Sequence, residues 1–449
     1  MKTGKWKLAI GLLCVLCAFV VSPRTALANA VSIDSVSLSV TPGDGYATVT
    51  FNLSQQNSFG NISFDGIAFT DYIWIFIKFS TTNGSDGSWG HCILASGGSV
   101  TPTTDYLGAF IQSSTAGTGG NTFTIRWNYG GTGGNGVTIG NDTIVKVCAI
   151  EMVEIPTGAF YYNAGGIGGS TYNNYGGGSQ TLVNTTTQIP TGAGSGWPNG
   201  YTGFYLAKYE VSQQQFCDFL NTIPSSSAAS FYSSWAYNLN GYLITNTGSS
   251  PITYTTTAPN RACNFLFWSD MVPYLSWTGL RPMTEMEYEK AARKTSVGTT
   301  NTRTYPWGDT APSTVTGAVD GGTHVIYNAN YYVAGVTYAP ISVGWYLSQG
   351  YAPTNREYTG ASYGVADLAG NLWEYVINCA WTTVPNNGNG TITPPVNNWP
   401  GTSTCRGCRG GFWGGANTNY LRVSDRACAR IYESEERDSI FGFRPARTK

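Results

Sequence analysis

The sequence carries little charge and almost no histidine, and each shortage excludes a class of function. Charged residues make up 11% of the 449 residues, against roughly 25% in an average soluble domain. The 24 Lys and Arg nearly balance the 25 Asp and Glu, for a net charge of −1. No basic surface can therefore form to attract phosphates, which excludes nucleic acid as a partner. The two histidines, His91 and His324, are too few for a centre built from several imidazoles.

Long apolar runs and common catalytic motifs are also missing. Beyond the first thirty or so residues, no stretch is apolar for the roughly 20 residues that a membrane-spanning helix needs, so membrane association through such a helix is not expected. No Gly-x-Ser-x-Gly motif, P-loop or paired-carboxylate pattern stands out. Enzymatic activity is therefore the less favoured interpretation.

The N-terminus has the pattern of a secretory signal peptide. It opens with three lysines: Lys2, Lys5 and Lys7. An apolar run over Leu8–Val21 follows, and small residues at 26–30 offer signal-peptidase sites. We expect residues 1–30 to be a Sec-type signal peptide and the protein to be secreted or displayed at the cell surface. A lipid anchor on Cys14 or Cys17 is the alternative, but the small residues that usually precede a lipidated cysteine are absent.

Residues 31–147 are predicted to form a separate, immunoglobulin-like β-sandwich domain. Its segments are rich in β-branched and aromatic residues and are separated by turn-forming residues: Val36–Val40, Tyr46–Leu53, Asp71–Phe79, Thr122–Tyr129 and Thr143–Ile150. The run Tyr72–Ile77 is apolar on both faces, as in a central strand covered from both sides. His91 is interpreted as a packing or surface residue rather than a ligand.

From residue 148 onward, helical patterns and irregular segments replace the β pattern. Three amphipathic segments each follow a capping residue: Ser212 before Gln213–Leu220, Ser269 before Asp270–Trp277, and Thr284 before Glu285–Arg293. Glu287 stands where a capping box needs its acid. The low-complexity stretch Gly165–Gly196 predicts a long surface excursion.

Eight cysteines lie outside the predicted signal peptide, and an even number in an oxidising compartment indicates disulfides. They are Cys92, Cys148, Cys217, Cys263, Cys379, Cys405, Cys408 and Cys428. One pairing, Cys92 with Cys148, would join the N-terminal region to itself. The Cys405-x-x-Cys408 pair favours a disulfide, either local or to Cys428, over half of a metal site. Free buried thiols are the general alternative.

Seven short segments, in order along the chain, resemble the formylglycine-generating-enzyme (sulfatase-modifying factor) domain. They are Ile155–Phe160, YEVSQQQFCDFL at 209–220, GLRPMTEMEYEKAAR at 279–293, Tyr305–Asp309, GVADLAGNLWEY at 364–375, RGGFW at 409–413 and Gly442–Arg444. The resemblance covers residues 148–449 and implies a variant of the C-type lectin fold, mixed α+β with much irregular structure. Most of its aromatic, glycine and arginine residues are interpreted as scaffold.

The resemblance also implies a calcium site in the 364–375 segment. Its ligands would be two side chains and two backbone carbonyls, from Asp367, Glu374, Gly370 and Leu372. Hard calcium prefers such oxygen donors. The alternative is that Asp367 and Glu374 only cap the turn. A second site beginning at Asn330 and Tyr331 lacks a later acidic partner.

Two catalytic cysteines follow the Arg-Gly-Gly motif in that family and bind copper. The corresponding positions here are Gly415 and Tyr420, neither of which supplies the soft sulfur ligand that Cu(I) prefers. No catalytic residue and no copper are therefore expected. The enzyme alternative is a formylglycine-generating oxidoreductase acting on sulfatase cysteines.

The segment 409–444 is instead predicted to bind a ligand. It presents the aromatic and small polar side chains that adaptable binding surfaces use: Trp413, Asn417, Asn419, Tyr420, Ser424, Asp425, Tyr432, Glu433 and Ser434. The segment resembles the variable region of diversity-generating-retroelement proteins, which implies a hypervariable face. We expect a protein or glycan ligand at a surface. A plain solvated loop, or a structural envelope component, is the alternative.

Overall fold

The computed structural model describes most of the chain after the predicted signal peptide. The described residues are 31–40, 43–64, 66–85, 87, 89–113, 121–162, 180–293, 304–308, 311–312, 316–319, 322–325, 329–331, 339–348, 363–395, 398–401, 403–428 and 437–449. The predicted signal peptide and the first half of the predicted excursion at 165–196 lie outside them. Within the described residues, no helix combines the length and apolar character needed to cross a bilayer.

Strands outnumber helices among the described residues as a whole. The strands are β1 (Val31–Val40), β2 (Tyr46–Gln55), β3 (Asn61–Phe64), β4 (Ile67–Ser80), β5 (Gly90–His91), β6 (Leu94–Ala95), β7 (Ala109–Gln112), β8 (Asn121–Asn128), β9 (Ile144–Ile155), β10 (Phe160–Tyr162), β11 (Thr181–Val183), β12 (Phe204–Ala207), β13 (Ile244–Asn246), β14 (Tyr254–Thr256), β15 (Arg281–Pro282), β16 (Thr316–Val319), β17 (Gly322–Val325), β18 (Trp373–Ile377), β19 (Arg406–Arg409), β20 (Phe441–Gly442) and β21 (Pro445–Thr448). The helices are α1 (Gln213–Leu220), α2 (Ser225–Phe231), α3 (Trp268–Thr278), α4 (Glu285–Arg293) and α5 (Trp345–Ser348). The predicted α+β class is confirmed.

Strand β4 is the central strand that its apolar run predicts. Ile73, Ile75 and Ile77 face a core shared with β2 and β8. Trp74 and Phe76 face a second core, formed with α1 and α3. Because successive side chains of a strand point to opposite faces, an uninterrupted apolar run can serve two cores at once.

The largest sheet runs through the expected domain boundary. Its order is β15-β21-β12-β9-β4-β3, with β5 and β7 also paired to β4. A second sheet, β1-β2-β8-β6, packs over β4 through the first core. Strand β9 contains residue 147 and pairs with both β4 and β12, so the N-terminal strands and the later region share one sheet. A separate immunoglobulin-like sandwich at 31–147 stays a prediction.

The predicted helix caps are right for two helices and wrong for one. Ser212 and Gln215 form a capping box that starts α1, and Thr284 with Glu287 does the same for α4. Helix α3 begins one residue before the predicted cap, Ser269, with Phe267 at the N-cap. The carboxylate of Asp270 accepts the Phe267 N–H at 2.9 Å, so the acid rather than the serine fixes this end.

One disulfide forms, between Cys408 and Cys428, which is one of the two pairings expected for that region. The other six cysteines among the described residues are free, so the expected bond between Cys92 and Cys148 is wrong. Cys92 packs in the core between the two sheets, whereas Cys148 packs against the core on the other face of β4 and β9. A sheet therefore separates the two thiols.

A small three-stranded sheet, β19-β18-β20, carries the segments of the candidate site. Strand β18 pairs antiparallel with β19, which places Glu374 opposite Arg409 and Tyr375 opposite Cys408. It pairs parallel with β20, which places Trp373 opposite Phe441. The 364–375 motif, the Arg-Gly-Gly motif and the C-terminal Gly-Phe-Arg motif thus meet in one sheet.

Candidate functional site

Five half-buried aromatic side chains form a patch at the edge of this small sheet. Trp373 is central, with ring centroids 4.9 Å from Phe412, 5.5 Å from Tyr420 and 5.9 Å from Phe441. Trp413 joins at 6.4 Å from Phe412. We call these five residues the aromatic patch. Its rings combine apolar faces with the hydroxyl and indole groups of Tyr420 and Trp413, a combination suited to binding.

Glycines and backbone hydrogen bonds hold the start of this segment in place. Gly410 and Gly411 have φ of 95° and 75°, which favour glycine. A Cβ on Gly411 would also lie 3.0 Å from the carbonyl oxygen of Tyr420. Trp413 donates its backbone N–H to Asn371 at 2.9 Å and its indole N–H to the carbonyl of Ser439 at 3.0 Å. The patch therefore rests on a fixed backbone.

The disulfide closes the segment into a covalent loop. Cys408 lies in β19 directly before Arg409, and Cys428 lies 20 residues later. We call residues 409–427 the candidate loop. A cross-link of this span removes loop-closure entropy from the unfolded chain, worth on the order of 3 kcal/mol. The two ends of the candidate loop are thus joined whatever lies between them.

The predicted ligand-binding residues differ in exposure. Asn417 is exposed, and Trp413, Asn419, Tyr420 and Asp425 are half-buried. Ser424 is buried and its hydroxyl has no hydrogen-bond partner, so its predicted ligand contact is not supported. Its hydroxyl faces the interior because the neighbouring Val423 and Arg426 are anchored there. Tyr432, Glu433 and Ser434 lie outside the described residues.

The residues at the two expected thiol positions do not fit a copper ion. Gly415 is buried against the Phe412 ring, where an added Cβ would come within 3.3 Å. Tyr420 belongs to the aromatic patch. Neither offers a sulfur, and no step through copper can be derived at these positions.

Beneath the candidate loop lies a buried group of arginines and glutamates. We call it the Glu285 cluster: Glu285, Glu289, Arg293, Arg409 and Arg426, all buried. Arg409 Nη2 lies 2.7 Å from Glu285 Oε2, and Arg426 Nη2 lies 2.9 Å from Glu289 Oε1. Arg409 Nη1 also donates to the carbonyls of Val423 and Asp425, each at 3.1 Å. This cluster ties helix α4 to both ends of the candidate loop.

The arginines of the Glu285 cluster stabilise its carboxylates. Burial alone would raise the pKa of Glu285, but Arg426 and Arg409 outweigh burial and lower it to about 2. The carboxylate also accepts the backbone N–H of Cys379 at 2.7 Å. Each carboxylate of the cluster is therefore paired with arginine, which agrees with the interpretation of these arginines as scaffold.

A second buried group contains both side chains on which the calcium prediction depends. We call it the Asp367 cluster: Glu210, Asp367, Glu374 and Arg444, all buried. Arg444 grips Glu374 with two hydrogen bonds, of 2.5 and 2.7 Å. Asp367 accepts the Gly344 N–H at 2.6 Å, and Glu210 accepts the Leu372 N–H at 3.1 Å and the Asn371 amide. Three carboxylates thus face one guanidinium.

The excess of carboxylates changes their pKa values. Burial raises the pKa of Asp367 to about 6 and the pKa of Glu210 well above its ordinary value, where Glu374 and Asp367 add like-charge repulsion. A divalent cation would balance this charge. Glu210 was not among the predicted site residues, although the 209–220 segment contains it. Nothing in the local sequence connects it with the 364–375 segment.

The turn that holds the implied calcium ligands has a tightly coiled backbone and contains oxygen donors. Asp367, Gly370 and Asn371 all have positive φ, so the turn 367–371 is sharply coiled. A Cβ on Gly370 would lie 2.5 Å from the Asn330 carbonyl oxygen. The buried side-chain oxygen Oδ1 of Asn330 has no hydrogen-bond partner. Among the described residues, no three His, Cys, Asp or Glu side chains converge as a metal site would, which leaves two carboxylates plus backbone carbonyls as the donor set.

A separate cavity of about 330 Å³ lies among β1, β9, α1 and α3. Its wall includes the Phe76, Tyr274 and Trp277 rings and the Cys148 thiol. The Lys146–Asp218 ion pair, 2.9 Å long, also borders it. None of its lining residues belongs to the segment 409–444, so it is no part of the candidate site.

Comparison with known proteins agrees with the sequence resemblance. Residues 145–449 match the family described as the sulfatase-modifying factor enzyme 1-like domain. The chain is 26% identical over 252 residues to a formylglycine-generating enzyme of Thermomonospora curvata, covering 50% of this chain and 76% of that one. Similar proteins of the same name occur in Streptomyces coelicolor, with 29% identity over 158 residues, and in Mus musculus, with 25% over 217. These alignments cover 35% and 43% of this chain, and 44% and 53% of the two relatives.

Proposed function

The chain belongs to the sulfatase-modifying factor enzyme 1-like domain family, and on that premise we propose that it is a non-catalytic member that binds a ligand through the candidate loop. The observation that carries the proposal is the pair Gly415 and Tyr420. At the two positions where the relatives' chemistry would need thiols, the chain has a glycine and a ring of the aromatic patch.

The arrangement of the candidate loop supports binding. Its ends are held by the disulfide and by the Glu285 cluster. Its middle presents exposed and half-buried side chains, Asn417, Asn419 and Tyr420, beside the aromatic patch. Fixed ends with a polar and aromatic centre lower the entropy cost of binding. A protein or glycan ligand at a cell surface is part of the proposal, as is export through the predicted signal peptide.

A selection experiment tests the proposal. Asn417, Asn419, Tyr420 and Asp425 are randomised together, and the displayed library is selected for binding to hen lysozyme as an arbitrary target. We expect binders that keep the wild-type melting temperature to within a few degrees. A matched library at the buried positions Leu421, Val423 and Ser424 should yield mostly unfolded chains. Loss of folding in the first library would show that these positions are scaffold, and the proposal would fail.

We further propose that natural variation is concentrated in the same loop. Its start at Arg409–Trp413 and its continuation to Gly442–Arg444 resemble the bounds of a retroelement-diversified region. Sequencing the surrounding locus checks this: a reverse-transcriptase gene and an imperfect template repeat of this segment are expected. Their absence would remove the hypervariability, but would leave the binding proposal standing.

Calcium is a structural part of the proposal. Asp367 and Glu374 would supply carboxylate oxygens, and Gly370 and Leu372 would supply carbonyls. The supporting observation is the excess of carboxylates in the Asp367 cluster. Bound calcium would neutralise that excess and hold the turn beneath Trp373.

The second candidate function is the oxidoreductase of the relatives, and one observation favours it. Cys408 and Cys428, with Cα atoms 5.3 Å apart, bring two sulfurs next to Arg409, and reduction would release a thiol pair. Incubating the reduced protein with Cu(I), oxygen and a Cys-x-Pro-x-Arg peptide tests it, with Cys408→Ser as control. We expect no formylglycine; formation that depends on Cys408 would establish the enzyme instead.

A gain-of-site variant sharpens that test. Gly415→Cys together with Tyr420→Cys installs sulfurs at the two positions where the family resemblance places them. We expect the double variant to bind Cu(I) in competition with a chromogenic chelator, and the wild-type protein with its disulfide intact to bind none. Equal copper binding by both proteins would contradict the assignment of Gly415 and Tyr420.

A further inference from the structure

A loop outside the candidate site displays large hydrophobic side chains to solvent. In residues 233–241, the exposed fractions are 59% for Trp235, 48% for Tyr237 and 47% for Leu239. Three such side chains within five residues are unusual on a protein with no partner to cover them, because clustered exposed apolar surface marks interaction sites.

This loop is held in place from beneath. Ala236 and Tyr242 are fully buried, and Leu239 donates its N–H to the Ala236 carbonyl at 2.9 Å. The side chains of Gln213 and Asn264 donate to the carbonyls of Gly241 and Asn240, at 2.8 and 2.9 Å. The Trp235 ring meets Phe265 edge to face at 5.2 Å. The exposed rings are thus displayed by a fixed backbone.

The loop itself carries no charged side chain. Arg261, which is buried, donates to the Gly241 carbonyl at 3.2 Å. No Asp, Glu, Lys, Arg or His occurs from Phe219 to Asn260. Exposed amides of Asn238 and Asn240 lie between and beside the hydrophobic side chains. The nearby Arg437 pairs with Asp270 at 2.6 Å. An acidic polymer or an anionic membrane would need a cluster of exposed basic side chains, which residues 233–241 and the described arginines beside them, Arg261 and Arg437, do not form.

The loop borders the aromatic patch. The amide of Asn264 donates both to Asn240 and, at 3.2 Å, to the carbonyl of Ser439. The Trp413 indole donates to that same carbonyl at 3.0 Å. One carbonyl group therefore connects the exposed loop with the patch.

We propose that loop 233–241 binds neutral carbohydrate. The apolar C–H faces of sugar rings pack on Trp235 and Tyr237, and the amides of Asn238 and Asn240 offer donors and acceptors to hydroxyl groups. Trp and Tyr also anchor protein interfaces, so a protein partner is the other outcome that the test must distinguish. The site goes beyond the proposed function and does not require Tyr420 or its neighbours.

Depletion of the full-length exported protein from solution by insoluble cellulose, chitin and mannan, at low and high salt, tests the proposal. We expect binding to at least one polysaccharide that is insensitive to salt. Trp235→Ala combined with Tyr237→Ala should weaken it about tenfold or more. Tyr106→Asn, which removes a ring of equal 48% exposure elsewhere, should leave it unchanged.

Further variants keep the result interpretable. Trp235→Tyr retains a ring and should preserve most of the binding, and the melting temperature of each variant shows that it is folded. No binding to any of the three polysaccharides, equal binding by the double variant, or loss at high salt would overturn the proposal. Loss in Tyr420→Ala alone would place the carbohydrate on the aromatic patch and overturn it as well. Loop-dependent capture of a purified surface protein without polysaccharide binding would assign the loop to a protein partner.

Discussion

The two buried charge clusters beneath the candidate loop have opposite imbalances. The Glu285 cluster sets three guanidinium groups against two carboxylates, whereas the Asp367 cluster sets one guanidinium against three carboxylates. They meet in the small sheet, where Glu374 lies opposite Arg409. The pKa of Glu285 is lowered to about 2, while that of Asp367 is raised to about 6.

The difference separates a scaffold from a candidate site. Buried ion pairs hold a structure together when each charge has a partner, and a buried charge without one is costly. In the Glu285 cluster each carboxylate has at least one arginine beside it, so no added cation is needed. In the Asp367 cluster two carboxylates have only neutral donors, and a cation would complete them.

The largest expected effect comes from breaking the scaffold. Arg409→Met would remove the 2.7 Å ion pair to Glu285 and the donors to the Val423 and Asp425 carbonyls, and should lower the free energy of unfolding by about 3–5 kcal/mol. Arg126→Met, which removes an exposed pair with Asp44, should cost about 1 kcal/mol or less. Urea denaturation measures both. A loss for Arg409→Met as small as that of the control would show that the cluster is not the anchor.

The Asp367 cluster should respond in the opposite direction. Calcium at a hundredfold excess over its dissociation constant should stabilise the wild-type protein by about 2.7 kcal/mol. In a chelator, Asp367→Asn removes an uncompensated charge and should stabilise by roughly 1 kcal/mol; asparagine also tolerates the positive φ there. Adding calcium should not stabilise the Asp367→Asn protein. Asp218→Asn, at an exposed ion pair, serves as control. If calcium leaves the unfolding free energy of the wild-type protein unchanged, the proposed calcium site is contradicted.

Lys78 tests the cost of burying a positive charge, in contrast to the negative charges of the Asp367 cluster. Among the described residues, its ammonium hydrogen-bonds with the carbonyls of Trp277 and Gly390 and with a ring nitrogen of His91, and no carboxylate pairs with it. Burial lowers its pKa from 10.5 to about 7. The unfolded chain then binds more protons between these values, so stability should rise with pH across that window, by about 1.4 kcal/mol per unit at most.

Lys78→Met should remove the contribution of Lys78 to the rise of stability with pH. Lys290 contributes a similar slope, because burial lowers its pKa to about 7 as well, so a reduced slope should remain. Unfolding free energies measured from pH 7 upward check this. An unchanged slope in the Lys78→Met protein would mean that the lysine stays charged when buried.

The smallest effect on stability is expected in the middle of the candidate loop. Tyr420→Ala removes a half-buried ring and should cost about 1 kcal/mol, whereas Leu421→Ala, one residue later but buried, should cost about 2–5 kcal/mol. Thermal denaturation of the two variants measures the contrast. Equal losses would place Tyr420 in the scaffold with the clusters.

Features that depend on neighbouring residues could be predicted from the sequence. Contacts between distant segments could not. The ends of α1 and α4 follow from Ser212 and Thr284 because a cap acts within one turn. The start of α3 was missed because Ser269 and Asp270 compete for the same role, and only the carboxylate reaches the Phe267 N–H. The pairing of Cys408 with Cys428, rather than Cys405, depends on how β19 meets the end of the candidate loop.

The candidate site shows the same division. Motif order located the turn at 367–374 and the candidate loop, but not which side chains face outward. Ser424 looked like a ligand contact by composition, yet it is buried. Glu210 lies in the segment between β12 and α1, some 160 residues earlier in the sequence, and only the fold brings it beside Asn371 and Leu372. Such contacts between distant segments are fixed by tertiary packing, which one sequence does not display.

The bond between Cys408 and Cys428 has a consequence for how this protein can change over generations. A covalent tie holds whatever residues lie between its ends, so replacements at Asn417, Asn419 or Tyr420 need not re-establish where the segment begins and returns. Under the proposed function, substitutions in this segment can therefore change which ligand is bound while the domain still folds.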